Sequence, residues 1–133
     1  MKKEIKIERP KFNFYYGNCC SLALTQGFDI SIDVLLLAFN LLKFKNPNEG
    51  LTFFECKKII EELVIWKYHR KIKYQTNEAS ITFAQMSVLM KTGKYIVIFD
   101  EHMSYLENGV IFDRFYDRKE MYQVKPTGWW KIQ

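Results

Sequence analysis

Tyr95-Ile96-Val97-Ile98-Phe99, then Met103-Ser104-Tyr105-Leu106-Glu107, then Val110-Ile111-Phe112-Asp113-Arg114-Phe115 decide the fold of this chain. All three runs are rich in aromatic or branched residues, and Asn108-Gly109 separates the last two. Asn-Gly between β-prone runs is the strongest short hairpin signal, because both residues tolerate the positive φ of a two-residue turn. The stretch therefore predicts one strand followed by a hairpin. Further along, residues 122–125 and 129–132 predict one or two closing strands. Toward the N-terminus the pattern turns helical. Thr52 with Glu55, and Thr82 with Gln85, are capping-box signatures. The first opens a helix through about Lys67, with Phe53, Cys56, Ile60, Leu63 and Val64 on one face. The second opens a helix striped by Phe83, Met86, Leu89 and Met90 and ended by Gly93.

Earlier still, a short helix starts at Cys19, carries Leu22, Ala23 and Gln26, and is stopped by Gly27. Asp29 or Ser31 caps a helix over residues 32–44, whose run Val34-Leu35-Leu36-Leu37-Ala38-Phe39 predicts deep burial. Residues 45–50 read as a loop, residues 70–75 alternate like a strand, and the first eighteen residues look extended. Helices first and an antiparallel sheet last make an α+β layout, a single domain over residues 1–133.

Composition fits that layout. In 133 residues, 48% are hydrophobic, 26% charged and 17% aromatic, enough bulk to fill one core without disulfides. Twenty basic residues against 15 acidic ones give +5, spread along the chain with small clusters at residues 2–6 and 67–73. So mild an excess aids solubility and is only weak evidence for nucleic acid, which is therefore not expected as a partner. The longest apolar run is broken by Asn40, so no membrane span is expected. Met1-Lys2-Lys3-Glu4-Ile5-Lys6 lacks an apolar signal core, which predicts a cytoplasmic protein. Three cysteines suit neither a disulfide framework nor a four-ligand zinc site, and no metal or cofactor is called for.

Chemistry concentrates at two places. His69 lies at a charged helix end and reads as solvated, whereas His102 stands at the entry of the hairpin. With a two-residue loop, Glu107 faces Val110, Ser104 faces Asp113 and His102 faces Phe115. Alternation then puts His102, Ser104, Leu106, Ile111, Asp113 and Phe115 on one face. Asp113 becomes the diagonal neighbour of His102, within about 7 Å. A carboxylate there orients the ring and presents its other nitrogen to a nucleophile. Gly17-Asn18-Cys19-Cys20, at a helix start, supplies the nucleophile. A helix dipole and unsatisfied amides stabilise a thiolate and can hold an oxyanion. Neighbouring helix positions point about 100° apart, so one of Cys19 and Cys20 faces a cleft and the other the core. Cys56, on an apolar helix face, reads as a core filler.

These segments together resemble papain-like cysteine peptidases. Gly17-Asn18-Cys19-Cys20-Ser21-Leu22-Ala23-Leu24 is similar to the ovarian-tumour-type pattern Gly-Asn-Cys, three variable residues, then Ala-Leu. Gly93-Lys94-Tyr95-Ile96-Val97 leading to His102, then Asn108-Gly109-Val110-Ile111-Phe112-Asp113, resembles the His and Asp strands of small phage-type papain-fold proteins. The resemblance implies a papain-like domain with Cys19 as nucleophile, His102 as general base and acid, and Asp113 as orienting carboxylate. It implies a protein or peptide substrate cleaved at an amide or isopeptide bond. Ala23, four residues after Cys19, is in register with the pattern and selects Cys19 over Cys20. Two positions depart from it. Tyr16 replaces the Asp of the ovarian-tumour type, and Asn13 stands where papain has Gln, so Asn13 and the Asn18 amide are the oxyanion candidates. Two other readings stay open: a cell-wall amidase of NlpC or CHAP type, and an inactive papain fold that binds and inhibits a host protein through Tyr16, Trp129 and Trp130. Richness in Lys, Ile and Asn fits a phage or mobile-element origin, with a host protein as the target.

Overall fold

The computed structural model describes residues 6–8, 19–43, 52–100, 102–113 and 119–133. In chain order these form β1 (Lys6–Glu8), α1 (Cys19–Phe28), α2 (Ile32–Leu41), α3 (Phe53–Tyr68), β2 (Tyr74–Thr76), α4 (Phe83–Leu89), β3 (Lys94–Ile98), β4 (Met103–Glu107) and β5 (Val110–Phe112). A 3-10 turn (Lys119–Gln123) and β6 (Gly128–Lys131) complete them. The class is α+β, with helices concentrated early and the sheet late. The six strands run in the order β1-β5-β4-β3-β6-β2. β3, β4, β5 and β6 pair antiparallel as expected, but the sheet also recruits β1, which lies parallel to β5 at one edge, and β2, from between two helices and antiparallel to β6, at the other. Neither edge was visible as a C-terminal feature of the sequence.

Both faces of the sheet are covered, which is why β3 reads as a continuous apolar run rather than an alternating one. Ile96, Met103, Tyr105, Trp130 and Ile132 form one core with Leu24 and Phe28 of α1, Leu35 and Phe39 of α2, and Ile59 and Ile60 of α3. Tyr95, Val97, Leu106, Ile111 and Trp129 form the other with Phe83 and Met86 of α4. Trp129 and Trp130 are 8% and 0% exposed, since β6 is an interior strand between β3 and β2. Both therefore pack in the core and drop out as anchors of the binding reading. Trp130 stacks on Phe53 and meets Tyr74 edge-on instead.

Both capping boxes form. Thr52 Oγ1 accepts from Glu55 N–H at 3.2 Å and Glu55 accepts from Thr52 N–H at 3.0 Å; Thr82 and Gln85 do the same at 3.1 and 2.8 Å. Ser31, not Asp29, caps α2. Asp29 has φ 52° and closes a Schellman end on α1, with Ile30 N–H donating to Thr25 and Asp29 N–H to Gln26. The Lys67 ammonium donates to the Phe28 carbonyl at the same end. Gly27 does not stop α1 but lies inside it, at its closest approach to the sheet. A Cβ there would sit 2.7 Å from Ile96 Cδ1.

Two expectations fail for physical reasons. α2 packs on one side only, so of its apolar run just Leu35 and Phe39, four apart, are buried, while Val34, Leu36, Leu37 and Leu41 are exposed. An unbroken apolar run cannot tell one buried face from two. Residues 122–125 form no strand. Both sides of β3 are occupied by β4 and β6, and the segment coils into the 3-10 turn and gives the Val124 carbonyl to Phe83 N–H, an orphan donor at the start of α4. No single described helix is long and apolar enough to cross a membrane.

Candidate active site

The β4–β5 hairpin turns at Asn108 and Gly109, with φ 51° and 80°, and pairs Glu107 with Val110, Leu106 with Ile111 and Tyr105 with Phe112. This is the register read from the sequence. Continued one pair further, it sets Ser104 opposite Asp113. His102 sits just before β4, on a tight turn closed by Phe99 N–H donating to the His102 carbonyl at 2.8 Å. Asp113 follows β5 directly.

These two placements bring His102 Nε2 and Asp113 Oδ2 to 2.7 Å. The side chains are only 15% and 3% exposed. A short contact shielded from water is electrostatically strong, because little solvent screens it. The Phe99 ring, itself edge-on to Phe83, lies 5.9 Å from the imidazole and fills its flank. Asp113 and Phe99 thus both bear on the orientation of the ring.

The direction of α1 relates the cysteine segment to this pair. Near its C-terminal end, Gly27 lies against Ile96, Ile132 and Tyr105. A turn and more earlier, Leu22 and Ala23 line a narrow cleft with His102, Met103, Ser104, Phe112 and Asp113. Moving toward the start of α1 is therefore moving from Tyr105 toward the His102 end of β4. Cys19, the first residue of α1, lies a further turn along that line. α1 packs on the Met103–Tyr105 face, whereas alternation sets His102 and Asp113 on the face of Leu106 and Ile111. No acidic residue occupies the first turn of α1.

The side chain of Cys19 lies outside the described residues, as do Asn13, Tyr16, Asn18 and Phe115. Cys20 is buried in the core, matching a core-facing neighbour of Cys19, and Cys56 is buried on α3. His69 is exposed and ends α3 with φ 56°. Among the described residues no group of His, Cys, Asp or Glu could hold a metal ion. Sequence reading passed over Ser104, which is 2% exposed, lines the cleft, and has no hydrogen-bond partner for its Oγ among the described residues. The signal was available, since the same register that paired His102 with Asp113 set Ser104 opposite the carboxylate. Compared with protein families, with curated proteins and with solved structures, the chain matches none.

Proposed function

We propose that this protein is a papain-like thiol hydrolase that cleaves an amide or isopeptide bond in a protein or peptide. The observation that carries the reading is the shielded 2.7 Å His102–Asp113 contact, toward which the first turn of α1 runs. In the reaction, His102 takes the Cys19 proton and the sulfur attacks the scissile carbonyl carbon. Amides at the start of α1, with Asn18 and Asn13 as candidates, hold the oxyanion. As the tetrahedral intermediate collapses, the C–N bond breaks and the His102 imidazolium gives its proton to the leaving amine. Water then attacks the thioester, passing a proton to His102, and the thiol is restored. Asp113 stays ionised throughout and stabilises the imidazolium. A host protein is the substrate class that a phage or mobile-element origin favours.

Iodoacetamide labelling tests this. At mildly acidic pH, Cys19 is expected to react well ahead of Cys56, and His102→Ala to slow Cys19 alone. Equal rates at all cysteines would remove the activated thiolate.

A binding role is favoured by one observation, the exposed apolar residues Leu37 and Leu41 on α2 and Trp66 on α3. It would use these rather than Trp129 and Trp130, and would survive Cys19→Ser.

A further inference from the structure

The strongest unexplained feature outside the triad is the Ser104 hydroxyl. Ser104 is 2% exposed and its Oγ makes no hydrogen bond with any described residue. A buried hydroxyl left unbonded is destabilising, and alanine would fill the same volume of strand without that penalty. Ser104 nonetheless lines the cleft that His102 and Asp113 also line. The β4–β5 register sets it opposite Asp113 and on the same face, where paired Cβ atoms are about 5 Å apart. A serine side chain exchanges between staggered χ1 wells readily, so its Oγ swings toward a cross-strand carboxylate without moving the backbone.

We propose that Ser104 is a positioning residue whose hydroxyl, on rotation about χ1, donates a hydrogen bond to the Asp113 carboxylate beside His102. This rests on the hydrolase reading of the site. When His102 takes the thiol proton it becomes an imidazolium, and the value of Asp113 lies in remaining ionised and in place beside it. A hydroxyl donor favours the ionised carboxylate over the neutral acid and fixes its plane. In the rotamer observed the Oγ is unbonded, and a change of χ1 engages it with the carboxylate. No bond to Ser104 forms or breaks in the reaction.

The test uses the full chain and two readouts. The first is the rate of Cys19 acylation by p-nitrophenyl acetate in the wild type, Ser104→Ala and Ser104→Thr. The second is the proton resonance of the His102 Nε2–H bonded to Asp113, followed as the imidazole is protonated. Ser104→Ala is expected to keep or raise the melting temperature, to slow acylation about three- to tenfold, and to shift the resonance of the protonated pair. Ser104→Thr, which keeps the hydroxyl, is expected to recover both. An unchanged rate with an unmoved resonance would overturn the proposal. So would a slower rate with an unmoved resonance, because that assigns the hydroxyl to the bound acyl group instead. His102→Ala separates the two levels of the argument. If it leaves acylation untouched, the hydrolase reading fails, while the resonance still decides whether Ser104 touches Asp113.

Discussion

Removing either member of the His102–Asp113 pair should expose how strongly they are coupled. Asp113 is 3% and His102 15% exposed, with Nε2 and Oδ2 2.7 Å apart, so the contact is desolvated and well formed. His102→Ala takes that partner from a buried carboxylate, a change that costs on the order of 3 kcal/mol. Domains of this size are stable by about 5–15 kcal/mol, so the variant still folds. Asp113→Ala removes the same hydrogen bond from the other side. If the pair is the dominant interaction of both groups, the double variant loses less than the sum of the singles. The expected coupling is about 1.5–3 kcal/mol, the range for hydrogen bonds that involve charge. Urea unfolding of the four proteins at pH 7, with the m-value held constant across them, measures it. Additivity within about 0.5 kcal/mol would show that the two side chains do not depend on one another, and the site would lose its physical basis.

Other consequences follow from packing and titration. Leu35→Ala on the buried side of α2 should cost about 2–5 kcal/mol, whereas Leu41→Ala, at a position 75% exposed, should stay within about 0.5 kcal/mol; comparable losses would mean that α2 is covered on both sides. Gly27→Ala forces a methyl to 2.7 Å from Ile96 Cδ1 where α1 meets the sheet, and a loss of about 1–3 kcal/mol is expected by thermal melting. No loss would show that Ile96 moves aside at little cost. Burial, then the hydrogen bond donated to Glu107, push the Tyr105 phenol up from its ordinary value of 10.0. The unfolded chain therefore sheds this proton first, so stability should fall as pH rises above about 10. Tyr105→Phe should make that fall shallower, and identical slopes for both proteins would contradict the assignment.

What was legible in the sequence was local chemistry. Thr52 and Thr82 announced helix starts because a side chain three residues on returns the hydrogen bond, and that geometry needs no tertiary partner. Asn108-Gly109 fixed a register, and the register alone carried His102 to Asp113. Long-range pairing left no such mark. Three residues of β1 lie parallel to β5 across most of the chain, and β2 reaches β6 from between helices. The burial of Trp129 and Trp130 depended on the strands that flank β6. Helix α1 was recognised from its start, but its stop was misplaced because Gly27 serves close packing rather than termination. The register also set Ser104 opposite Asp113, but only its burial shows that its hydroxyl is without a partner among the described residues.

The most direct test of the central claim is to mix the protein with p-nitrophenyl acetate, record nitrophenol release, and measure intact mass after rapid quenching. The account predicts a burst of about one equivalent, an acetyl adduct that maps to Cys19, and slow turnover as water hydrolyses the thioester. Cys19→Ser should abolish the burst while the fold survives, and His102→Ala should suppress it by orders of magnitude. A burst that persists without Cys19, or acetyl groups spread over lysines at equal rates in all three proteins, would contradict it.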